Sequence, residues 1–263
     1  MSERRLLVYP DTRVLADAAA HRLLVVLLDA LCARPSHERF DLALTGGSDA
    51  LRMLERLAED PLTDAVDWSR VHLWWGDERF VAADDPDRNA LQARRRLLDS
   101  LVAEGRLPED NIHEMPADVR PASAVAAATD AENGAVLDKA ASAHEIELRS
   151  QLGPHPRMDL LILGMGPDGH FASLFPGHPQ IGITDRLVVG VDHSPKPPAL
   201  RLSMTASLLA ASDRTWMLTA GAAKTRAFAA CFAGRDDPAH PASFMDGRTE
   251  ALWMTAAETV TPL

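Results

Sequence analysis

Residues 158–170 read MDLLILGMGPDGH, and the fold follows from them. Positions 158–163 form a short run that is apolar on both faces, as a central strand of a parallel sheet must be when helices cover both sides. The run ends at Gly164, Gly166 and Pro167, so the strand gives way to a loop. Similar short runs rich in Leu, Val and Trp recur at 6–9, 41–45, 71–75, 187–191, 215–218 and 251–254. Helical patterns fill the gaps, at 11–33, 49–59, 86–103, 222–232 and, as one or two helices, across 121–151. Asp11 and Thr12 are suitable caps for the first helix, and Pro86 suits the first turn of the third, where its missing N–H costs nothing. Strands alternating with helices along the whole chain predict an α/β protein built on a mainly parallel sheet.

The 263 residues are 46% hydrophobic and 25% charged, enough to bury a large core without disulfides or a structural metal. Residues 178–198 carry Pro179, Pro195, Pro197 and Pro198 and read as a surface excursion, not a domain linker. One continuous domain over 1–263 is therefore expected. Twenty-seven basic residues against 38 acidic ones leave a net charge of −11, which repels a nucleic-acid backbone. A single phosphate remains possible, because a few cations and helix N-termini suffice to hold one. Cys32 and Cys231 lie far apart with no CxxC spacing, which suits a reducing, cytoplasmic setting. No apolar stretch reaches signal-peptide or membrane-span length, so no membrane association is expected.

Three loops that follow strands carry the chemistry: Thr45-Gly46-Gly47-Ser48, Gly76-Asp77-Glu78-Arg79, and the loop from Gly164 to His170. If their strands are parallel neighbours, all three emerge at the carboxyl edge of the sheet, where ligands bind. In the first loop, two glycines let backbone N–H groups approach an oxyanion beside the positive end of a helix; a plain turn with Ser48 as helix cap is the simpler use. Ser48 also approaches a nucleophile-elbow pattern, but Ala50 stands where its last glycine belongs. Gly164, Gly166 and Gly169 spell G-x-G-x-x-G, yet Pro176 and Pro179 interrupt the chain before the long helix a dinucleotide needs. That loop offers instead Asp168 beside His170, a carboxylate and the usual general base. Arg79 is a natural fork for phosphate, or an ion-pair partner of Asp77 or Glu78. Lys224 follows Ala220-Gly221 at a helix start and again suggests an anion site. No HExxH or paired His/Cys spacing suggests a metal.

Residues 71–81, VHLWWGDERFV, and 163–177, LGMGPDGHFASLFPG, resemble the two signature segments of the 6-phosphogluconolactonase family. The order and spacing extend over nearly the whole chain, taking in TGGS at 45–48, SPKPP at 194–198, RLSMT at 201–205, and Ala220-Gly221 with Lys224. The resemblance implies a Rossmann-like α/β fold with helices on both faces, shared with amino-sugar-phosphate deaminases and isomerases. It also implies hydrolysis of 6-phospho-D-glucono-1,5-lactone to 6-phospho-D-gluconate in the oxidative branch of the pentose phosphate pathway, with no metal or organic cofactor. His170 would be the general base, with either Asp168 or Asp77 orienting it. Gly46, Gly47, Ser48, Arg79 and Lys224 would hold the phosphate, joined by Arg201. The only partner expected is the phosphosugar lactone, and the protein would be a monomer or weak homo-oligomer.

Asp49-Ala50 departs from the Thr-Pro common after Gly-Gly-Ser, and a carboxylate there would oppose a nearby phosphate. The sister deaminases place a glutamate five residues after the histidine, where this chain has Phe175, which cannot ionise. Deaminase or isomerase chemistry and a non-catalytic sugar-phosphate sensor are the competing expectations.

Overall fold

The computed structural model describes residues 2–260. Its strands are β1 (Arg4–Tyr9), β2 (Phe40–Leu44), β3 (Val71–Trp75), β4 (Asp77–Arg79), β5 (Leu160–Leu163), β6 (Val188–Val191), β7 (Arg201–Met204), β8 (Arg214–Leu218) and β9 (Glu250–Ala256). Its helices are α1 (Thr12–Ala33), α2 (Ser48–Glu59), α3 (Asn89–Ala93), α4 (Asp99–Ala103), α5 (Ala122–Ala127), α6 (Asp130–Leu152), α7 (Ala206–Ala210), α8 (Thr225–Ala233) and α9 (Ala257–Val260).

Six strands form one sheet in the order β1-β9-β8-β5-β2-β3, and every pairing in it is parallel. Period-two alternation divides the inner strands between two cores. Leu42, Leu44, Leu160, Ile162, Trp216 and Leu218 face the helices α1 to α4. Ala43, Leu161, Leu163 and Met217 face α6, α7 and α8. β5 is buried at all four positions, as its double-sided apolar reading requires. Among the described residues, no helix is long and apolar enough to cross a membrane.

The expected outline needs two corrections. Residues 187–191 do not extend the parallel sheet: β6 pairs antiparallel with β7, and β7 with β4, in a separate three-stranded sheet. β4 and β7 are too short, and too rich in Asp, Glu, Arg and Ser, for periodicity to announce them. The helix expected from Pro86 starts only at Asn89. The buried Glu78 carboxylate reaches over from β4 and accepts the N–H groups of Asn89 (2.7 Å) and Ala90 (2.8 Å), so the first turn is capped from another strand. A π turn over Arg94–Leu98 then separates α3 from α4. At the N-terminus, Asp11 does cap α1, accepting the Val14 N–H at 2.8 Å. The Ala-rich 121–151 segment splits at Ala128, and Thr129 with Glu132 forms a capping box for α6.

Candidate active site

The carboxyl ends of β8, β5, β2 and β3 lie side by side, so the loops after them share one rim. A cleft of about 300 Å³ opens there. Gly46, Gly47, Ser48, Asp77, Arg79 and His170 line it, together with Arg201 and Lys224. Asp168 stands behind His170, bonded to it.

The 164–170 loop closes on itself. Gly166 donates its N–H to the His170 carbonyl at 2.9 Å, and Gly169, at φ +82°, donates to the Gly166 carbonyl at 3.0 Å. A side chain at Gly166 would overlap the imidazole, since a Cβ there would lie 2.1 Å from His170 Cε1 and 2.5 Å from Asp168 Oδ1. The glycines thus make room for an Asp–His pair, and no long helix follows them. His170 Nδ1 lies 2.5 Å from Asp168 Oδ1. An ionised carboxylate only accepts, so Nδ1 carries the proton, and in the neutral imidazole the lone pair is then on Nε2. Burial pushes the Asp168 carboxyl up, but the His170 hydrogen bond and the His170 and Lys196 charges outweigh it and hold it at about 2. The imidazole leans on buried Phe175, with ring centroids 4.5 Å apart.

Asp77, the other candidate to orient His170, is engaged elsewhere. Its Oδ2 accepts from Ser173 Oγ at 2.7 Å, and its backbone carbonyl accepts from Asn89 Nδ2 at 2.9 Å. Among the described residues, only Asp168 of the two bonds the imidazole.

Four cations converge on this cleft although the chain is acidic overall. Arg79 donates to the Asp87 carbonyl at 2.7 Å. Arg201 is almost fully buried and grips the preceding strap, Nε donating to the Pro198 carbonyl at 3.2 Å and Nη2 to the Lys196 carbonyl at 3.0 Å. Burial pulls its guanidinium down, Asp77 opposes that, and Arg79 adds to it. Lys224 Nζ donates to Thr219 Oγ1 at 2.7 Å and to Asp49 Oδ2 at 3.4 Å.

The same Asp49 oxygen takes the Ala220 N–H at 3.0 Å, while Arg52 lies 3.2 Å from the other. The charge of Asp49 is thus matched by Lys224 and Arg52, and it steadies Lys224 at the cleft. Ser48 opens α2 and does not cap it, the N-cap being Gly47 at φ +96°. Its exposed hydroxyl, with no partner among the described residues, is left facing the cleft.

Residues 10–253 match the family described as glucosamine-6-phosphate isomerases/6-phosphogluconolactonase. The chain belongs to this family. It is 40% identical over 255 residues to the 6-phosphogluconolactonase of Streptomyces coelicolor, covering 95% of this chain and 91% of that one. It is 38% identical over 250 residues to the 6-phosphogluconolactonase of Mycobacterium tuberculosis, covering 94% and 93%. The solved structure of 6-phosphogluconolactonase from Trypanosoma brucei superposes with a TM-score of 0.82 over 98% of each chain; at 24% identity this is a likeness of fold.

Two residues at the cleft escaped the sequence reading. Lys196 was visible only as part of a proline-rich stretch, with no periodicity to orient it. Asn89 packs its amide against Gly46, where a Cβ would lie 1.9 Å from Asn89 Oδ1. Its place becomes legible only once Glu78 is known to cap α3.

Proposed function

We infer that this protein hydrolyses 6-phospho-D-glucono-1,5-lactone to 6-phospho-D-gluconate, in the oxidative branch of the pentose phosphate pathway and in the cytoplasm. The observation that carries this reading is an imidazole tied at Nδ1 to Asp168, with Nε2 free among the described residues, in a cleft that also holds Arg79, Arg201 and Lys224. The family membership and the names of its relatives support the same reaction.

In the mechanism that follows, the phosphate settles among Arg79, Arg201, Lys224 and the N–H groups of Gly46-Gly47-Ser48. Holding that remote group fixes the lactone ring against His170, an entropic contribution that asks no chemistry of those residues. Water attacks C1 while His170 Nε2 takes its proton. The tetrahedral adduct collapses with cleavage of the bond between C1 and the ring oxygen, which receives the proton back from His170. Asp168 keeps the imidazole in the required tautomer and balances its transient positive charge. General-base assistance of this kind is worth about 10²–10⁴-fold.

Deaminase or isomerase chemistry is disfavoured by Phe175, which is fully buried beneath Arg201 and offers no ionisable group. A non-catalytic sensor would have no use for the Asp168–His170 pair. The decisive measurement is lactone hydrolysis at slightly acidic pH, corrected for spontaneous opening with an enzyme-free control. Ammonia release or aldose–ketose exchange, with no acceleration of lactone opening, would replace this reading.

A further inference from the structure

The strap over residues 194–198 is held rigidly from both sides. Ser194 Oγ donates to the Lys196 carbonyl at 2.9 Å and accepts the Lys196 N–H at 3.3 Å, while the Ser194 N–H donates to the Ala199 carbonyl at 3.0 Å. Arg201 donates to the same Lys196 carbonyl from below. Those that reach Lys196 use only its main-chain atoms, so they fix its backbone and leave its side chain to the cleft. There the ammonium Nζ lies 3.8 Å from Asp168 Oδ1, the oxygen that also holds His170.

The cations of the cleft thus fall into two groups. Arg79 and Arg201 pair across a ladder, and Lys224 is tethered to Asp49 and Thr219. Lys196 alone among them is paired with the Asp168–His170 couple. Burial and the charges of Arg201, Lys224 and Arg79 pull the ammonium down against the opposing pull of Asp168, so negative charge arriving beside it would be favoured.

We propose that Lys196 is a further catalytic residue, whose ammonium binds the C1 carbonyl oxygen of the lactone and stabilises the negative charge that develops there during water attack. The proposal rests on the lactonase reading above. As the water oxygen bonds to C1 and its proton passes to His170, the carbonyl π electrons move onto the oxygen beside Lys196. When the C=O bond re-forms, the bond from C1 to the ring oxygen breaks and that oxygen takes the proton from His170. The product acid then loses its proton to solvent, leaving a carboxylate against the same ammonium. Stabilising charge where it appears only in the transition state raises turnover more than binding.

The test uses Lys196→Met and Lys196→Arg, with two inhibitors that differ only at C1: 6-phosphogluconate, which carries a carboxylate, and glucitol 6-phosphate, which carries a hydroxymethyl. In Lys196→Met, kcat should fall about 10²-fold or more with KM little changed. Inhibition by 6-phosphogluconate should weaken about tenfold or more, while glucitol 6-phosphate, which also reports an intact fold, binds as in the wild type. Lys196→Arg should recover part of both losses. Equal weakening of the two inhibitors would make Lys196 a phosphate ligand and overturn the proposal, as would an unchanged kcat. If the wild type fails to accelerate lactone opening, the lactonase reading itself falls, a result separable from any failure of Lys196.

Discussion

Arg79 and Arg201 stand directly opposite one another in the antiparallel pairing of β4 with β7, and both side chains line the cleft. Like charges facing each other across a ladder cost about 0.2–1 kcal/mol on their own. An anion between them would turn that cost into a gain, which supports the phosphate-binding role proposed for the pair.

The first prediction follows from that geometry. Inorganic phosphate at a hundred times its dissociation constant should stabilise the wild type by about 2.7 kcal/mol, read as a rise in Tm by calorimetry. Arg79→Met should lose most of this rise while its phosphate-free Tm stays level or increases. It should also raise KM for the phosphorylated lactone at least tenfold, as expected for a lost charge-assisted hydrogen bond. An undiminished phosphate response in Arg79→Met would remove Arg79 from the site.

His170→Ala isolates the chemistry from the binding. Steady-state kinetics should give a kcat lower by about 10²–10⁴-fold at a KM near the wild-type value. Near-normal turnover would end the general-base role.

Asp168→Asn removes the charge that orients the imidazole without changing its volume, and kcat should fall about 10²-fold or more as the tautomer preference is lost. The stability consequence has a defined sign. Asp168 is held at about 2, below its ordinary 3.8, so its ionised form stabilises the folded protein fully above that ordinary value. This contribution is lost as pH falls through about 2. Chemical denaturation across that range should therefore find the wild type and Asp168→Asn converging toward the acid end. A gap independent of pH would argue against an ionised Asp168 in the fold.

Gly166→Ala tests the close packing of the loop. A methyl placed 2.1 Å from His170 Cε1 must displace the ring, because the loop backbone is pinned by the Gly166 and His170 main-chain bond. Hydrolysis should be nearly abolished while far-ultraviolet circular dichroism and phosphate binding persist. Retention of activity would mean that the loop adjusts more freely than its hydrogen bonds suggest.

Much of this site could be read before any coordinates, because its parts sit at local discontinuities of the chain. The glycines that end β2 and β5 break an apolar run, and His170 lies seven residues beyond the last strand residue of the most apolar run of all. What escaped was non-local. Asp77 and Asp168 both follow an apolar strand and a glycine, and what separates them is the Ser173 hydroxyl, 96 positions from Asp77, that engages one and the imidazole that engages the other. Lys196 reaches the Asp168–His170 pair through a strap whose conformation depends on Arg201.

The order of residues by itself determined the parallel core and the rim on which the chemistry would gather, since apolar alternation, glycine breaks and proline stops act over a few neighbouring positions. The tertiary structure decided which carboxylate serves the imidazole, how Asp49 is neutralised, and that β4, β6 and β7 leave the main sheet to set two arginines face to face. Those outcomes depend on hydrogen bonds and charge pairs between segments far apart in the chain. Their energies exist only after folding has brought the segments together, so no local pattern announces them.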